Sequence, residues 1–258
     1  MKIGAHVSSS GGLDLAIGRA VDIGAEAVQL FASAPQMWGM KPPTSEVMAS
    51  FREKAAVAGL QDALFFHGVY LVNLATENPE NLKRGIGSLA SYLKLSDQIG
   101  VKGVIFHVGS HKGAGFDTVL PQITLAMQEV LNRAEGDSWL IIENNAGQGQ
   151  QIAGNFAEIG RIMEAVDSPR VKVCIDTCHS LASGYDLRTE EGVAAAMDEF
   201  VREVGAEHLV AVHANDSKAG LGSALDRHEN IGDGHIGLDG FRHIMAHPVF
   251  RDVPFLLE

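Results

Sequence analysis

Residues 102–143 read KGVIFHVGSHKGAGFDTVLPQITLAMQEVLNRAEGDSWLIIE. An apolar run closing on a histidine (KGVIFHV, 102–108) is followed by an amphipathic stretch (116–135). A second apolar run then closes on a glutamate (SWLIIE, 138–143). Short unbroken apolar runs are how strands buried on both faces read, and a helix between two of them makes a parallel strand–helix–strand unit. The unit repeats outward in both directions. Towards the N-terminus lie strand candidates at 2–7, 26–32 and 63–67, with helical segments at 12–24, 44–59 and 79–99. Towards the C-terminus lie strands at 171–177, 208–213 and 253–258, with helices at 155–166, 189–204 and 239–246. Thr44 with Glu46, Asn78-Pro79 and Asp239 are expected helix starts; Gly59, Gly100 and Gly205 are expected stops.

Eight strands alternate with seven helices, and no Pro/Ser-rich linker or repeat splits the chain. The expected fold is therefore α/β: a single (β/α)8 barrel, of the TIM-barrel kind, over residues 1–258 rather than an open doubly wound sheet. A complete barrel of this kind carries a helix after its eighth strand. The sequence stops at Glu258, so the further expectation is a chain lacking its last helix.

Composition narrows the function. With 46% hydrophobic and 20% charged residues the chain can bury a sizeable core. Lys+Arg total 20 against 32 Asp+Glu, a net charge of −12, which argues against nucleic-acid binding through a general basic surface alone. The two cysteines, Cys174 and Cys178, are too few for a disulfide framework. No signal-peptide core and no run of about 18 apolar residues is present. A soluble, cytoplasmic protein that makes no membrane contact is expected.

In a barrel of this kind, function sits at the C-terminal ends of the strands. The residues there are His6, His67, His107, Glu143, Asp176, His213 and Glu258, all acid/base or metal-ligand types. Carboxylates crowded into one small mouth repel each other unless cations neutralise them. In the loops past the strands, Asp176-Thr-Cys-His179 adds an imidazole, and Asp226-Arg-His228 lies in a long Gly-rich loop (215–238) expected to lack regular structure. Imidazole with carboxylate suits zinc, with manganese or iron as alternatives. Without His6, nine ligands with one carboxylate bridging serve three ions. The cysteines read as small core residues rather than nucleophiles.

The segments GAHVSSSGGL (4–13), HGVYLVNLA (67–75), HVGSHKG (107–113), ENNAGQG (143–149), VCIDTCHSLASGYDL (173–187), HANDSKAGLGSALDRHENIGDGHIG (213–237) and LLE (256–258) resemble endonuclease IV, the zinc-dependent family of apurinic/apyrimidinic endonucleases. The match follows the family's order along the whole chain. The resemblance implies a (β/α)8 barrel with three zinc ions, manganese replacing zinc in part. It implies hydrolysis of the phosphodiester 5′ to an abasic site in duplex DNA, leaving a 3′-hydroxyl, and removal of 3′ blocking groups. It assigns His67, His107 and bridging Glu143 to one ion; Glu143, Asp176, His213 and Glu258 to a second; and His179, Asp226 and His228 to a third. Glu143 is the implied catalytic residue in a metal-assisted in-line displacement that needs no protein nucleophile.

For DNA, Lys41, Lys112, Arg188, Lys218 and Arg227 all fall in loops after strands, with Lys112, Lys218 and Arg227 the expected phosphate contacts. Tyr70 and Leu71 match the loop that the family inserts into the duplex while the abasic nucleotide is flipped out. Gln36 stands where many members carry an arginine, which removes a charge beside the DNA. A monomer is expected. His6 is expected in a supporting hydrogen bond, His111 and His235 in supporting or DNA contacts, and His208, His243 and His247 on the barrel's outside. Two other readings use the same residues. A single-metal sugar isomerase or epimerase would need only Glu143, Asp176, His213 and Glu258; a zinc- or DNA-binding scaffold would need no turnover.

Overall fold

The computed structural model describes residues 1–258. In chain order the elements are β1 (Ile3–His6), α1 (Leu13–Asp22), β2 (Ala27–Leu30), α2 (Ser45–Val57), β3 (Leu64–His67), α3 (Pro79–Ile99), β4 (Gly103–Phe106), α4 (Phe116–Arg133), β5 (Trp139–Glu143) and α5 (Phe156–Val166). There follow β6 (Val171–Asp176), α6 (Thr177–Ser183), α7 (Glu190–Glu203), β7 (Leu209–His213), β8 (Asp216–Ser217), β9 (His228–Glu229), α8 (Gly237–Ala246) and β10 (Phe255–Leu257). Strands β1 to β7 and β10 pair in parallel and close into a barrel in the order β1-β10-β7-β6-β5-β4-β3-β2. The alternation read from the sequence is thus a (β/α)8 barrel.

The start and stop signals act as expected at most helices. The Thr44 side chain accepts from the Val47 N–H at 3.4 Å. The Asn78 carbonyl accepts from both Glu80 and Asn81 N–H at 3.0 Å, ahead of Pro79 in the first turn. Gly100 ends α3 with φ 79°, a conformation in which a side chain would be strained. Asp239 is a correction: α8 begins at Gly237, so Asp239 lies inside the first turn and makes no cap.

Two further corrections fall on segments expected to be loops. Residues 177–183 form α6, because the Asp176 carboxylate accepts the His179 N–H at 2.7 Å and starts a helix directly off the strand. The 215–238 segment is not free of regular structure: β8 and β9 pair antiparallel, Asp216 opposite Glu229 and Ser217 opposite His228.

The core has two parts. A large apolar layer lies between strands and helices. A small one fills the barrel itself: Ala27, Ala63, Phe65, Ile105, Ile141, Cys174, Ala211 and Leu256. Side chains alternate along a strand with period two, so the next inward residue on each strand is fixed. From Ala27, Phe65, Ile105, Ile141, Cys174, Ala211 and Leu256 it is Gln29, His67, His107, Glu143, Asp176, His213 and Glu258. On β1 the floor position is Gly4, where a Cβ would come within 1.7 Å of the Ala27 carbonyl oxygen, and the residue above is His6. The barrel therefore carries an apolar floor with one polar layer directly on it, one side chain per strand.

Candidate metal centre

Glu143 stands at the middle of this layer, 1% exposed. Its two oxygens face different neighbours. Oε2 lies 3.1 Å from His67 Nε2 and 3.3 Å from His107 Nε2. Oε1 lies 3.0 Å from His213 Nδ1 and 3.4 Å from His179 Nδ1. Three compact groups of ligand atoms result, each within 4.8 Å: His67, His107 and Glu143; Glu143, Asp176, His213 and Glu258; and His179, Asp226 and His228. All nine ligand candidates of the sequence are brought together. A fourth grouping, Asp176, Cys178 and His228, adds a cysteine that the sequence reading set aside.

Two backbone carbonyls and one side chain fix which ring nitrogen is free. His67 Nδ1 donates to the Gly68 carbonyl at 2.8 Å, leaving Nε2 toward Glu143. His179 Nδ1 donates to the Asn144 carbonyl at 2.9 Å, leaving Nε2 3.3 Å from Asp226. His213 Nε2 donates to Gln29 Oε1 at 2.7 Å, leaving Nδ1 toward Glu143 and Glu258. Such outer hydrogen bonds orient metal-binding imidazoles. The buried nitrogens His179 Nε2 and His228 Nε2 each lie 3.3 Å from Asp226 Oδ1 without making a hydrogen bond, an expensive arrangement unless a cation stands among them. This chemistry fits divalent metal ions.

Charge follows the same pattern. Burial alone would raise Glu143, but the imidazoles of His107 and His213 hold it well below the usual carboxylate range. Burial would lower His179, yet Asp176 and Asp226 lift it to about 10. Against the pull of burial, His67 and His228 are likewise raised by carboxylates, and His213 by Cys174 together with Glu258 and Glu143. Desolvation dominates at His107, which falls to about 4, and at Asp176, which rises. Burial lifts the Cys174 and Cys178 thiols to about 11 and about 12, so neither is a ready nucleophile at neutral pH.

Exposure grades across the centre. Asp176 and His213 are sealed, whereas the His107, His228 and Asp226 side chains are 28%, 30% and 43% exposed. The rim is open to a substrate above it. A cavity of about 350 Å³ lies there, with His67, Tyr70, Asn73, His107, Ser110 and Asp226 among its walls.

The family described as xylose isomerase-like TIM barrel matches residues 17–258. A protein from Methanoculleus marisnigri named probable endonuclease 4 is 38% identical over 99% of this chain and 91% of its own length. The crystal structure of endonuclease IV from Thermus thermophilus superposes with a TM-score of 0.90 at 32% identity, covering 100% of this chain and 92% of that one.

The chain belongs to the endonuclease IV family. The enzyme class read from the sequence, a metal-dependent endonuclease, is the one endonuclease IV carries. A D-tagatose 3-epimerase-like protein also superposes, with a TM-score of 0.74 at 15% identity over 99% of this chain and 90% of its own length. That likeness shows the shared barrel alone.

Within this endonuclease IV chain the remaining expected positions fall as follows. Gln36, Lys112, Lys218 and Arg227 are exposed, Tyr70 is 63% exposed, and Leu71 is exposed beside it. Arg188 is not free, since Nε and Nη2 each donate to Asp186 at 2.8 Å. His6 accepts from Gln29 Nε2 at 2.9 Å, the supporting bond expected of it. His111 is used within its own loop, accepting from Gly113 and Gly115 N–H at 3.2 Å. The sequence reading missed Gln29, Asn144 and Asn215. Asn215 donates to Asp176 at 2.7 Å and to Glu258 at 3.2 Å, and Asn144 accepts the Asp176 N–H at 2.7 Å. Their only signal was a neutral amide in or beside an apolar strand.

Proposed function

We propose that this protein is a DNA-repair phosphodiesterase that holds about three divalent ions, mainly zinc with manganese in part, and cleaves duplex DNA on the 5′ side of abasic sites. Removal of 3′ blocking groups is the same displacement on a strand end. The observation that carries this reading is the two-sided Glu143, each oxygen facing its own imidazole group. Bound ions would supply Lewis-acid charge for the phosphate and a water of lowered pKa.

The chain's residues do the rest. Glu143 holds His67 and His107 on one side and His213 on the other at fixed spacing, so the groups on the attacking side of a phosphate are held in one frame. His179, Asp226 and His228 form the more exposed group, suited to charge developing on the leaving 3′ oxygen. Tyr70 and Leu71 stand exposed beside the cavity, placed to enter the gap in an abasic duplex. Lys112, Lys218 and Arg227 supply phosphate contacts on an otherwise acidic protein. A monomer suffices, since one chain provides every group named.

Glu143→Ala tests the assignment. Incision of an abasic duplex should fall by about a hundredfold to a thousandfold, the loss expected when a central charge-stabilising group is removed, while circular dichroism still shows a folded barrel. Near-normal incision by a folded variant would refute the assignment. The single-metal isomerase reading uses only Glu143, Asp176, His213 and Glu258 and leaves the other ligand groups without a task.

A further inference from the structure

Asp216 is fully buried beside the metal centre, yet none of its contacts is with a cation. Its carboxylate is taken up by backbone amides. Oδ1 accepts from Ser217 and Ile236 N–H, both at 2.8 Å. Oδ2 accepts from Gly232 at 2.9 Å, Gly237 at 3.1 Å and Gly234 at 3.2 Å. The segment GDGHIG (232–237) is thus wrapped around one anion. At Gly234 a Cβ would fall 2.4 Å from Asp216 Oδ1 and 2.6 Å from the Ser217 carbonyl oxygen, so only glycine allows the approach.

The wrapping closes the base of an excursion, residues 218–231, that carries Asp226 and His228. Beyond the carboxylate, its ends are joined by the β8–β9 pairing, by Lys218 N–H to the Arg227 carbonyl at 2.9 Å, and by His235 N–H to the Ser217 carbonyl at 2.8 Å. His228 pairs with Ser217, the residue after Asp216. His67, His107 and Glu143 come from β3 to β5 and touch none of this.

We infer that Asp216 is a positioning residue: its buried carboxylate gathers the amides of 232–237 and so sets the loop that presents Asp226 and His228 to the third ligand group. A carboxylate is required because every partner is a donor. An asparagine in either orientation turns its NH2 group toward at least two N–H groups and leaves them without an acceptor. The consequence for metal rests on the function proposed above; the consequence for the loop does not.

The test compares wild type, Asp216→Asn and Gly234→Ala, all purified with zinc. Hydrogen exchange read by mass spectrometry should be at least about tenfold faster for amides of 217–237 in both variants, corresponding to about 1.4 kcal/mol of lost protection, with peptides from β3 to β5 unchanged. After dialysis against a weak chelator the variants should lose one ion more than wild type, and added zinc should restore incision of an abasic duplex. Gly234→Ala changes no charge and decides the matter should Asp216→Asn fail to fold. Unchanged exchange in the loop, or faster exchange with all ions retained as in wild type, would overturn the inference. If wild type itself holds fewer than three ions, the trinuclear reading fails, and loop exchange alone decides the role of Asp216.

Discussion

Gln29 holds His213 by one ring nitrogen and leaves the other turned toward Glu143, while its amide NH2 donates to Glu258 at 2.6 Å. One neutral side chain thereby orients two ligands. Gln29→Ala should lower zinc retention or incision by about 10–100-fold, the usual cost of removing such a support, read by chelator competition on a folded variant. Unchanged retention would contradict this. The raised imidazoles carry a second expectation. In protein stripped by chelator, His179, lifted to about 10, holds its proton at neutral pH and His107, at about 4, does not, while their neighbours push His67, His213 and His228 in the direction of His179. A ligating nitrogen must be free of its proton, so zinc binding should release protons at pH 7. Affinity should keep rising with pH until His179 titrates, near 10. Calorimetry in two buffers of different ionisation enthalpy reads the release directly; identical heats would contradict it.

Asn78 shows what was legible among the elements. Its side chain before a proline announced α3, and the structure places both of its acceptor bonds there. Asn78→Ala should cost about 1 kcal/mol in urea unfolding, and no change would mean that solvent replaces the cap fully. The eight barrel strands were legible because a doubly buried strand leaves little room for polar residues. The nine ligand candidates were legible because imidazoles and carboxylates close such runs or stand just beyond them. What escaped was set by tertiary contacts. α6 escaped because its cap is Asp176, a residue already read as a ligand, and one side chain does both. The β8–β9 pairing escaped because two-residue strands carry no periodicity; it depends on Asp216 gathering amides up to 21 residues away. Gln29 escaped because a neutral amide inside AVQL reads as an ordinary strand residue, and only the floor at Ala27 shows that it points inward.

A protein of net charge −12 must bring DNA to its surface by local charge. Arg188 is occupied by Asp186, and Lys218 lies 3.7 Å from Glu229, so few free cations flank the centre. Gln36 is exposed in the loop after β2. Gln36→Arg should tighten binding to an abasic duplex and steepen its salt dependence by up to about 0.9 in slope for one added phosphate contact. An unchanged salt titration would mean that this loop does not reach the DNA. On the proposed function, a polar layer with one side chain from each strand, joined by His179, Asp226 and His228, holds a cluster of ions rather than a single one. The most direct measurement is elemental mass spectrometry of metal per chain on protein purified without chelator. About three divalent ions, mainly zinc, are expected; a saturated value of one ion, or none, would overturn the trinuclear reading.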